Sequence, residues 1–490
     1  MLNQRLSIDG NNCTVRYVGQ DVPVWPGEDA IGVEWDDPAR GKNDGSVKAV
    51  KLFECSQPGA GSFLKAQALE KKQVRYGVSF QEAVIERYAS ESRVEEIKIG
   101  TKMGQVLGFD NKGLENLTSI NLAGKGVSSA SRTDSLPLDH VLHLDLSFDL
   151  FSSFDTVLQC LETTPNVEWM SLNGNRFRVD STGAQFPSLT SLTLTNTLLS
   201  EQEVLDVIGH FPNLTHLVLA HNKTLKSLDL RATRLQFLDL SFNQLDNLSQ
   251  IQLPASLTSL NLAQNNLAQL SEKTLPPSQS ITELDVSYNQ LQWSDFDRLC
   301  TIYPSLTSLR INDNPSTNED FSTNTLSVSP IDSQIIARWH GTLSTLNGRF
   351  VADQERSDSL IYFVNSVLQG KIDYPRQGAN KTHFDALVSS LGISETQAAP
   401  RVADNFPTAR QAFVRVTFTA RETQGESTTS QRLNKQSSVQ KMKFGVLRQK
   451  GYSPLHACTI VIDDIEVYDE LKTLDFYGVT DSTKVDICIS

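Results

Sequence analysis

Large aliphatic residues recur through the middle of the chain in the frame LxxLxL, with mostly polar residues between them. The frame starts at nine positions that are 21 to 26 residues apart: Leu117, Val141, Val167, Leu189, Leu214, Leu235, Leu257, Ile281 and Leu306. Such a period is typical of leucine-rich repeats, in which each repeat adds one strand to a parallel sheet. The pattern therefore predicts an α/β leucine-rich-repeat solenoid with a C-terminal cap over residues 113–370.

Asparagine stands eight residues after the start of six frames, at Asn175, Asn222, Asn243, Asn265, Asn289 and Asn314. A buried asparagine side chain can bond the backbone of the neighbouring turn, so we predict a ladder of these side chains along the solenoid. After Asn314 the period stops, and IIARWHGTLSTLNGRFV is predicted to form the cap, followed by a helix at RSDSLIYFVNSVL. An additional frame, LKSLDL at Leu225, is predicted to lie on the convex side.

The end of the chain has a different pattern. AFVRVTFTA alternates as a strand does, QRLNKQSSVQKMKFGVLRQKGY suits a helix, and the chain ends with a predicted strand in KVDICIS. A sheet with one helix in about 80 residues predicts a ubiquitin-like β-grasp domain of the α+β class over residues 409–490. Residues 371–408 are predicted to be a polar linker with a short helix at HFDALVSSL, and residues 76–112 a helical connector.

The N-terminal residues 1–75 contain glycines at three places in GVEWDDPARGKNDGSVKAVKLFECSQPGAGSFLK. GKNDG between two apolar runs favours a hairpin, and it could equally form an anion site with a lysine at its rim. It is not a nucleotide-binding loop, because Asp36 and Asn43 stand where that pattern requires glycine and serine or threonine.

GKNDG followed by the G-x-F of Gly61 and Phe63 resembles the CAP-Gly domain, a small β-barrel that binds acidic C-terminal tails ending in an aromatic residue. The resemblance implies that glycine backbone amides approach a terminal carboxylate. The residues it implies are Lys42, Asn43, Asp44, Gly45 and Gly61 at the anion, with Trp25 and Phe63 around the aromatic ring and Trp35 either beside them or facing the core. The alternative for this region is a structural remnant without a ligand.

Two residues depart from the usual CAP-Gly pattern. Ala30 stands where the family usually has tryptophan, which weakens the expected selectivity for an aromatic ring, and Ala49 stands where glycine is common.

The charge of the chain limits the partners that it can have. The net charge of −13 argues against nucleic acid, whereas residues 38–75 carry eight basic and three acidic residues, a local charge of +5 that suits an acidic peptide. No stretch is apolar enough for a secretory signal or a membrane span, so a cytoplasmic, cytoskeleton-associated protein is expected. Six widely separated cysteines predict reduced thiols and no metal site.

Two further surfaces are candidates for partner contacts. Trp169, Phe237 and His216 are predicted on the concave face of the solenoid, where large aromatic side chains often mark interfaces, unless neighbouring loops cover them. Lys441, Lys443 and Arg448 belong to a basic helix that either contacts an acidic surface or is simply solvated. No histidine lies in a recognisable nucleophile motif, so the sequence predicts neither catalytic residues nor a cofactor.

A CAP-Gly domain, leucine-rich repeats and a ubiquitin-like domain in this order resemble the tubulin-folding cofactor E family. RYGVSFQEAVIERYA and LSTLNGRF strengthen the resemblance. It implies a chaperone that binds α-tubulin and works with tubulin cofactors B, C and D and a small Arf-like GTPase in assembly and dissociation of the αβ heterodimer. Two alternatives remain: a microtubule-associated adaptor, and a ubiquitin-pathway adaptor that directs tubulin to degradation.

Overall fold

The computed structural model describes residues 1–89, 111–130, 136, 138–180, 183–223, 225–270, 275–317, 330–368, 370–391, 413–422, 425–435, 437–452, 458–462, 465–467, 474, 479 and 484–489. The chain divides into two compact units, Met1–Ser316 and Thr317–Ser490. Residues 90–110 of the predicted connector and residues 392–408 of the predicted linker lie outside the described residues.

The first unit begins with a β module. Its five-stranded antiparallel sheet has the order Gly61–Lys65, Ala30–Trp35, Asn11–Gly19, Arg5–Ile8 and Val74–Arg75. A hairpin of Ser46–Val47 and Val50–Lys51 and a short helix at Ala66–Leu69 complete the module. The alternation of apolar residues along these strands directs one face inward, onto a core of Leu6, Ile8, Cys13, Val15, Ile31, Val33 and Trp35.

A short connector joins this module to the solenoid. Val78–Ser79 pairs in parallel with Val127–Ser129, at the start of the repeats. The helix Phe80–Val84 follows, with Ser79 and Glu82 forming a capping box, and the turn widens into a π-helix at Ile85–Ala89. The β module is therefore attached to the first repeats by backbone hydrogen bonds as well as by the chain.

Nine short strands form the parallel sheet of the solenoid, as the LxxLxL frames predict. They are Ser119–Asn121, His143–Asp145, Trp169–Ser171, Ser191–Thr193, His216–Val218, Phe237–Asp239, Ser259–Asn261, Glu283–Asp285 and Ser308–Arg310. The central residue of each strand is the second frame position, and these residues pair with one another from Ile120 to Leu309. Helices Phe154–Glu162, Glu201–Gly209 and Trp293–Ile302 occur between strands, and a 3-10 helix precedes them at Asn111–Asn116. LKSLDL stays out of this sheet, because Leu228–Asp229 pairs with Ile251–Gln252.

The predicted asparagine ladder is present and buried. Asn243 shows its pattern: Nδ2 donates to Leu219 O at 3.0 Å and Leu240 O at 2.9 Å, and Oδ1 accepts from Asn222 N at 2.5 Å. Each amide thus satisfies backbone groups of two successive repeats that would otherwise be buried without partners.

The second unit begins with helices and ends with a β-grasp domain. Helices Pro330–Arg338, Asp353–Leu368 and Gly378–Ser390 share an apolar core that includes Phe363, Tyr374 and Phe384. A hairpin of Thr345–Leu346 and Arg349–Phe350 lies in the segment predicted to be the cap. The helix predicted in the linker is therefore longer than HFDALVSSL and packs its apolar face against the helix before it.

The β-grasp sheet has the order Gly425–Asn434, Phe413–Glu422, Lys484–Ile489, Cys458–Ile462 and Ile465–Glu466, with the helix Val439–Gln449 packed on it. The helix predicted over residues 431–452 is wrong at its start. Residues 431–434 are the end of a strand, because they pair with residues 413–416. The helix begins only after Ser438, whose side chain accepts a hydrogen bond from Lys441 N.

All six cysteines are free thiols, and burial raises the pKa of Cys13 to about 12. Among the described residues, no helix has both the length and the apolar character that crossing a bilayer requires.

Candidate peptide-binding site

Residues 41–45, the GKNDG loop, are held against Gly61 by backbone hydrogen bonds. Lys42 N and Asn43 N donate to Gly61 O at 2.7 and 3.0 Å, and Gly61 N donates to Asn43 O at 2.8 Å. The glycine amides that the CAP-Gly resemblance directed at a carboxylate are likewise used within the module, because Gly41 N donates to Pro38 O, Gly45 N to Asn43 Oδ1 and Gly61 N to Asn43 O. An anion would therefore meet the side chains of the loop before its backbone.

Glycine is required at two places because the backbone passes too close for a side chain. A Cβ on Gly41 would lie 1.8 Å from Gly59 O. Gly45 has a φ of +89°, and its Cβ would lie 2.1 Å from Phe53 O. The loop can reach Gly61 and Phe53 only without these two side chains.

The polar side chains of the loop have separate roles. Lys42 is exposed and forms no ion pair with any residue that the structure describes. Asn43 Oδ1 accepts from Gly45 N at 3.0 Å, which leaves Nδ2 as a donor for a ligand. Asp44 Oδ1 accepts from Ser46 N at 3.1 Å, and hydrogen bonding with Ser46 holds the Asp44 pKa below its usual value. Asp44 is thus an ionised turn residue and would repel a carboxylate, which leaves Lys42 and Asn43 as the candidate anion-binding pair of the loop.

An aromatic cluster adjoins the loop. Phe63 is half-buried, with its ring centroid 5.2 Å from that of Phe53 and 6.0 Å from that of Tyr17. Phe53 fits only because Gly32 has no side chain, since a Cβ there would lie 2.4 Å from Phe53 Cε1. Phe53 also touches Gly45, so the apolar cluster and the loop form one continuous surface. The sequence analysis did not predict Tyr17 and Phe53 at this site. The glycine at position 32, within a strand of large apolar residues, was the sign that other side chains pack against that point.

The two predicted tryptophans lie in different places. Trp25 is half-buried, and Lys65 Nζ lies 5.3 Å from its ring centroid while pairing with Glu28 at 2.8 Å. Trp35 is only 6% exposed and belongs to the module core, with the Arg40 guanidinium 5.1 Å from its ring centroid. Of the two places expected for Trp35, the structure therefore shows the core and not the surroundings of a bound ring.

The residues that depart from the CAP-Gly pattern allow a paired test of stability. Ala49 lies in the left-handed region with a φ of 63°, at the turn between Val47 and Val50, whereas Ala30 is buried in an extended strand. We expect Ala49→Gly to raise the free energy of unfolding by about 0.5 kcal/mol, since relief of strain exceeds the greater entropy of the unfolded chain. Ala30→Gly is expected to lower it by about 1 kcal/mol. Urea denaturation measures both, and a loss of stability in Ala49→Gly would contradict the strain argument.

The concave face brings the three predicted residues into one row. His143, Trp169, Ser191, His216 and Phe237 are paired neighbours across the sheet. His216 stacks on Phe237 at 5.8 Å between ring centroids, and both rings retain solvent exposure.

The basic residues of the C-terminal helix face outward. Lys441 and Arg448 are exposed and Lys443 is partly exposed, while Met442, Val446 and Leu447 of the same helix are buried. The exposure of Lys441 and Arg448 fits a solvated helix face as well as contact with an acidic surface.

The comparisons with known proteins agree on one family. The model described as the CAP-Gly domain matches residues 2–69. The Danio rerio protein named Tubulin-specific chaperone E is 28% identical, over 99% of this chain and 98% of its own length. The Homo sapiens protein of that name is 30% identical, over 73% of this chain and 70% of its own. This chain belongs to the tubulin-specific chaperone E family.

This member of the tubulin-specific chaperone E family has the predicted fold class: a CAP-Gly module, a leucine-rich-repeat solenoid and a ubiquitin-like β-grasp domain. Among solved structures, the C-terminal ubiquitin-like domain of mouse tubulin-specific chaperone E is similar, at 16% identity and a TM-score of 0.15, over 16% of this chain and 87% of that chain. No group of three or more acidic, histidine or cysteine side chains within the described ranges is arranged to hold a metal ion.

Proposed function

We propose that this chain is a tubulin-folding chaperone that holds α-tubulin by its acidic C-terminal tail in the GKNDG loop. The observation that supports the proposal is the juxtaposition of Lys42 and the Asn43 Nδ2 group with the cluster of Tyr17, Phe53 and Phe63. The last residue of a tail that ends in an aromatic side chain carries a terminal carboxylate and a ring close together, as the loop and the adjoining cluster would require. The names of the relatives supply the protein class to which such a tail belongs.

The mechanism requires several weak contacts. A flexible acidic tail bound at an exposed lysine gives modest affinity, which salt reduces. Trp169, Phe237 and His216 on the concave face, with Lys441, Lys443 and Arg448 in the ubiquitin-like domain, are proposed to contact the folded body. Linked contacts raise the overall affinity through effective concentration, and disruption of any one of them permits release. Such a holder needs no hydrolysis of its own to hand α-tubulin to cofactors C and D during assembly or dissociation of the heterodimer. Receipt from cofactor B and a role for the Arf-like GTPase belong to the same proposal.

Titration calorimetry with an α-tubulin tail peptide tests the tail site. We expect Lys42→Ala to weaken binding about tenfold at low salt, because a charge-assisted contact is lost. Asn43→Asp keeps the acceptor for Gly45 N and removes the donor, and it is expected to weaken binding at least as much. A peptide without its final aromatic residue should bind more weakly to the unaltered chain.

Lys48→Ala is the matched control, since it removes one positive charge at the exposed turn six residues beyond Lys42. It is expected to leave the affinity within about twofold, which is what long-range electrostatics alone would give. Equal losses in Lys42→Ala and Lys48→Ala would reduce the site to a diffuse charge effect and overturn the proposal.

A further inference from the structure

One backbone position of the solenoid lies in the left-handed region in every repeat. It is the third residue after each strand: Gly124, Phe148, Gly174, Asn196, His221, Phe242, Gln264, Tyr288 and Asp313. Glycine and asparagine adopt this conformation readily, whereas a large aromatic residue is strained there. Phe148, Phe242 and Tyr288 are nevertheless aromatic, and they remain 55%, 40% and 50% exposed. The strain therefore does not serve burial of these rings.

Two of these side chains stack along one edge of the sheet, and a third ring, Tyr288, follows two repeats after Phe242, beyond Gln264. Phe242 N donates to Ala263 O of the next repeat at 3.0 Å, and Tyr288 N donates to Asn312 O of its next repeat at 2.8 Å. Equivalent residues of adjacent repeats are therefore about 4.8 Å apart, as adjacent strands are. His221 stacks on Phe242 with ring centroids 4.2 Å apart and an interplanar angle of 15°. We call His221, Phe242 and Tyr288 the aromatic ledge.

The CAP-Gly module already occupies the earlier part of the same edge. Asn12 Nδ2 donates to Phe148 O at 2.8 Å. A cleft of about 580 Å³ lies between the two, lined by Phe148 and Asn196 from the solenoid and by Asp36 and Pro38 from the module. The aromatic ledge starts in the repeat after Asn196, so it continues an interface that exists within the first unit.

The tail site is close to this edge. Lys42 follows Pro38 by four residues, which can span at most about 14 Å. Parallel pairing of Val78–Ser79 with Val127–Ser129 fixes the module on the first repeats. A protein held by its tail at Lys42 therefore has its folded body within reach of the ledge.

We propose that the aromatic ledge docks an apolar patch on the folded body of the protein whose acidic tail occupies the GKNDG loop. The inference rests on the proposed function, which supplies tubulin as the protein to test. The stacked rings of His221 and Phe242, with Tyr288 two repeats further along the same edge, expose apolar surface that suits a folded partner better than an extended peptide. This contact is separate from the concave row of His216 and Phe237.

The test is the double variant Phe242→Asn with Tyr288→Asn. Asparagine suits the left-handed backbone and keeps the backbone N–H bonds of both residues to the next repeat. We expect a melting temperature equal to or above that of the unaltered chain. Affinity for tubulin dimer is expected to fall at least tenfold, and affinity for the isolated tail peptide to stay within twofold. Gln264→Asn, at the same backbone position between the two rings, is the matched control and should change neither affinity.

The outcomes separate the two proposals. A similar loss on tubulin whose acidic tails have been removed by protease would support the ledge as an independent contact. Unchanged dimer affinity in the double variant would overturn the ledge and leave tail binding intact, and an equal loss in Gln264→Asn would also overturn it. If the unaltered chain bound neither peptide nor dimer, the proposed function would fail, and with it the assignment of this partner to the ledge.

Discussion

Asp149→Asn is expected to make the solenoid more stable at neutral pH. Asp149 is fully buried at the ladder position that asparagine occupies in six other repeats. Its Oδ1 accepts from Gly126 N at 2.8 Å and Val127 N at 3.0 Å, but its Oδ2 is buried without a hydrogen-bond partner among the residues that the structure describes. An amide at this position would keep the acceptor and add the donor that the ladder uses elsewhere.

The pH dependence follows from the same burial. Burial raises the pKa of Asp149 from 3.8 to about 8 in the folded chain. Between these values the folded state holds a proton that the unfolded state has lost, so stability falls as the pH rises from about 4 to 8. Asparagine removes this loss, and the expected gain is about 2 to 4 kcal/mol at pH 7.5 and close to zero near pH 4.

Chemical denaturation at several pH values measures this prediction. Asp239→Asn is the control, because it removes the same charge at a half-exposed concave position where the carboxylate accepts from Ser241 N at 2.8 Å. At pH 7.5 the gain in the free energy of unfolding should be larger for Asp149→Asn than for Asp239→Asn. Parallel stability curves for Asp149→Asn and the unaltered chain over pH 4–8 would show that Asp149 is ionised in both states.

The solenoid was predictable because its signal is periodic. Each repeat buries the same frame positions between the same neighbours, so nine matches determine strand, register and ladder together. Asp149 and Thr197 stand at ladder positions without asparagine and still keep the register. Because every repeat carries the same pattern, its neighbours fix the register of a repeat in which one ladder asparagine is replaced.

The proposed tail site was only partly predictable. Ile31, Val33 and Trp35 alternate along one strand, and this alternation already indicated that Trp35 faces the core. Tyr17 and Phe53 could not be placed, because strands far apart in the chain bring them to Phe63. The prediction of a helix at residues 431–434 failed for a related reason. These polar residues have no hydrophobic period of their own, and pairing with residues 413–416 makes them a strand.

Gly41→Ala is expected to abolish the tail site by a purely steric effect. The φ of Gly41 is −68°, which any residue adopts, but an added Cβ would lie 1.8 Å from Gly59 O and 2.6 Å from the backbone of Ala60. The loop must then move away from Gly61, which breaks the bonds from Lys42 N and Asn43 N. We expect a loss of about 3 kcal/mol in the stability of the module and at least a tenfold loss in affinity for the tail peptide.

Gly59→Ala is the matched control, because Gly59 O is the atom that a Cβ on Gly41 would meet. Gly59 has a φ of +76° and nothing within 4 Å of its added Cβ, so the variant carries backbone strain of about 1 kcal/mol without a clash. Native-state hydrogen exchange of Lys42 and Asn43 amides, with calorimetry on the tail peptide, distinguishes the two. Protection and affinity should collapse in Gly41→Ala and survive in Gly59→Ala. Normal protection with normal affinity in Gly41→Ala would mean that the loop does not depend on its contact with residue 59, and the geometry assigned to Lys42 and Asn43 would then be wrong.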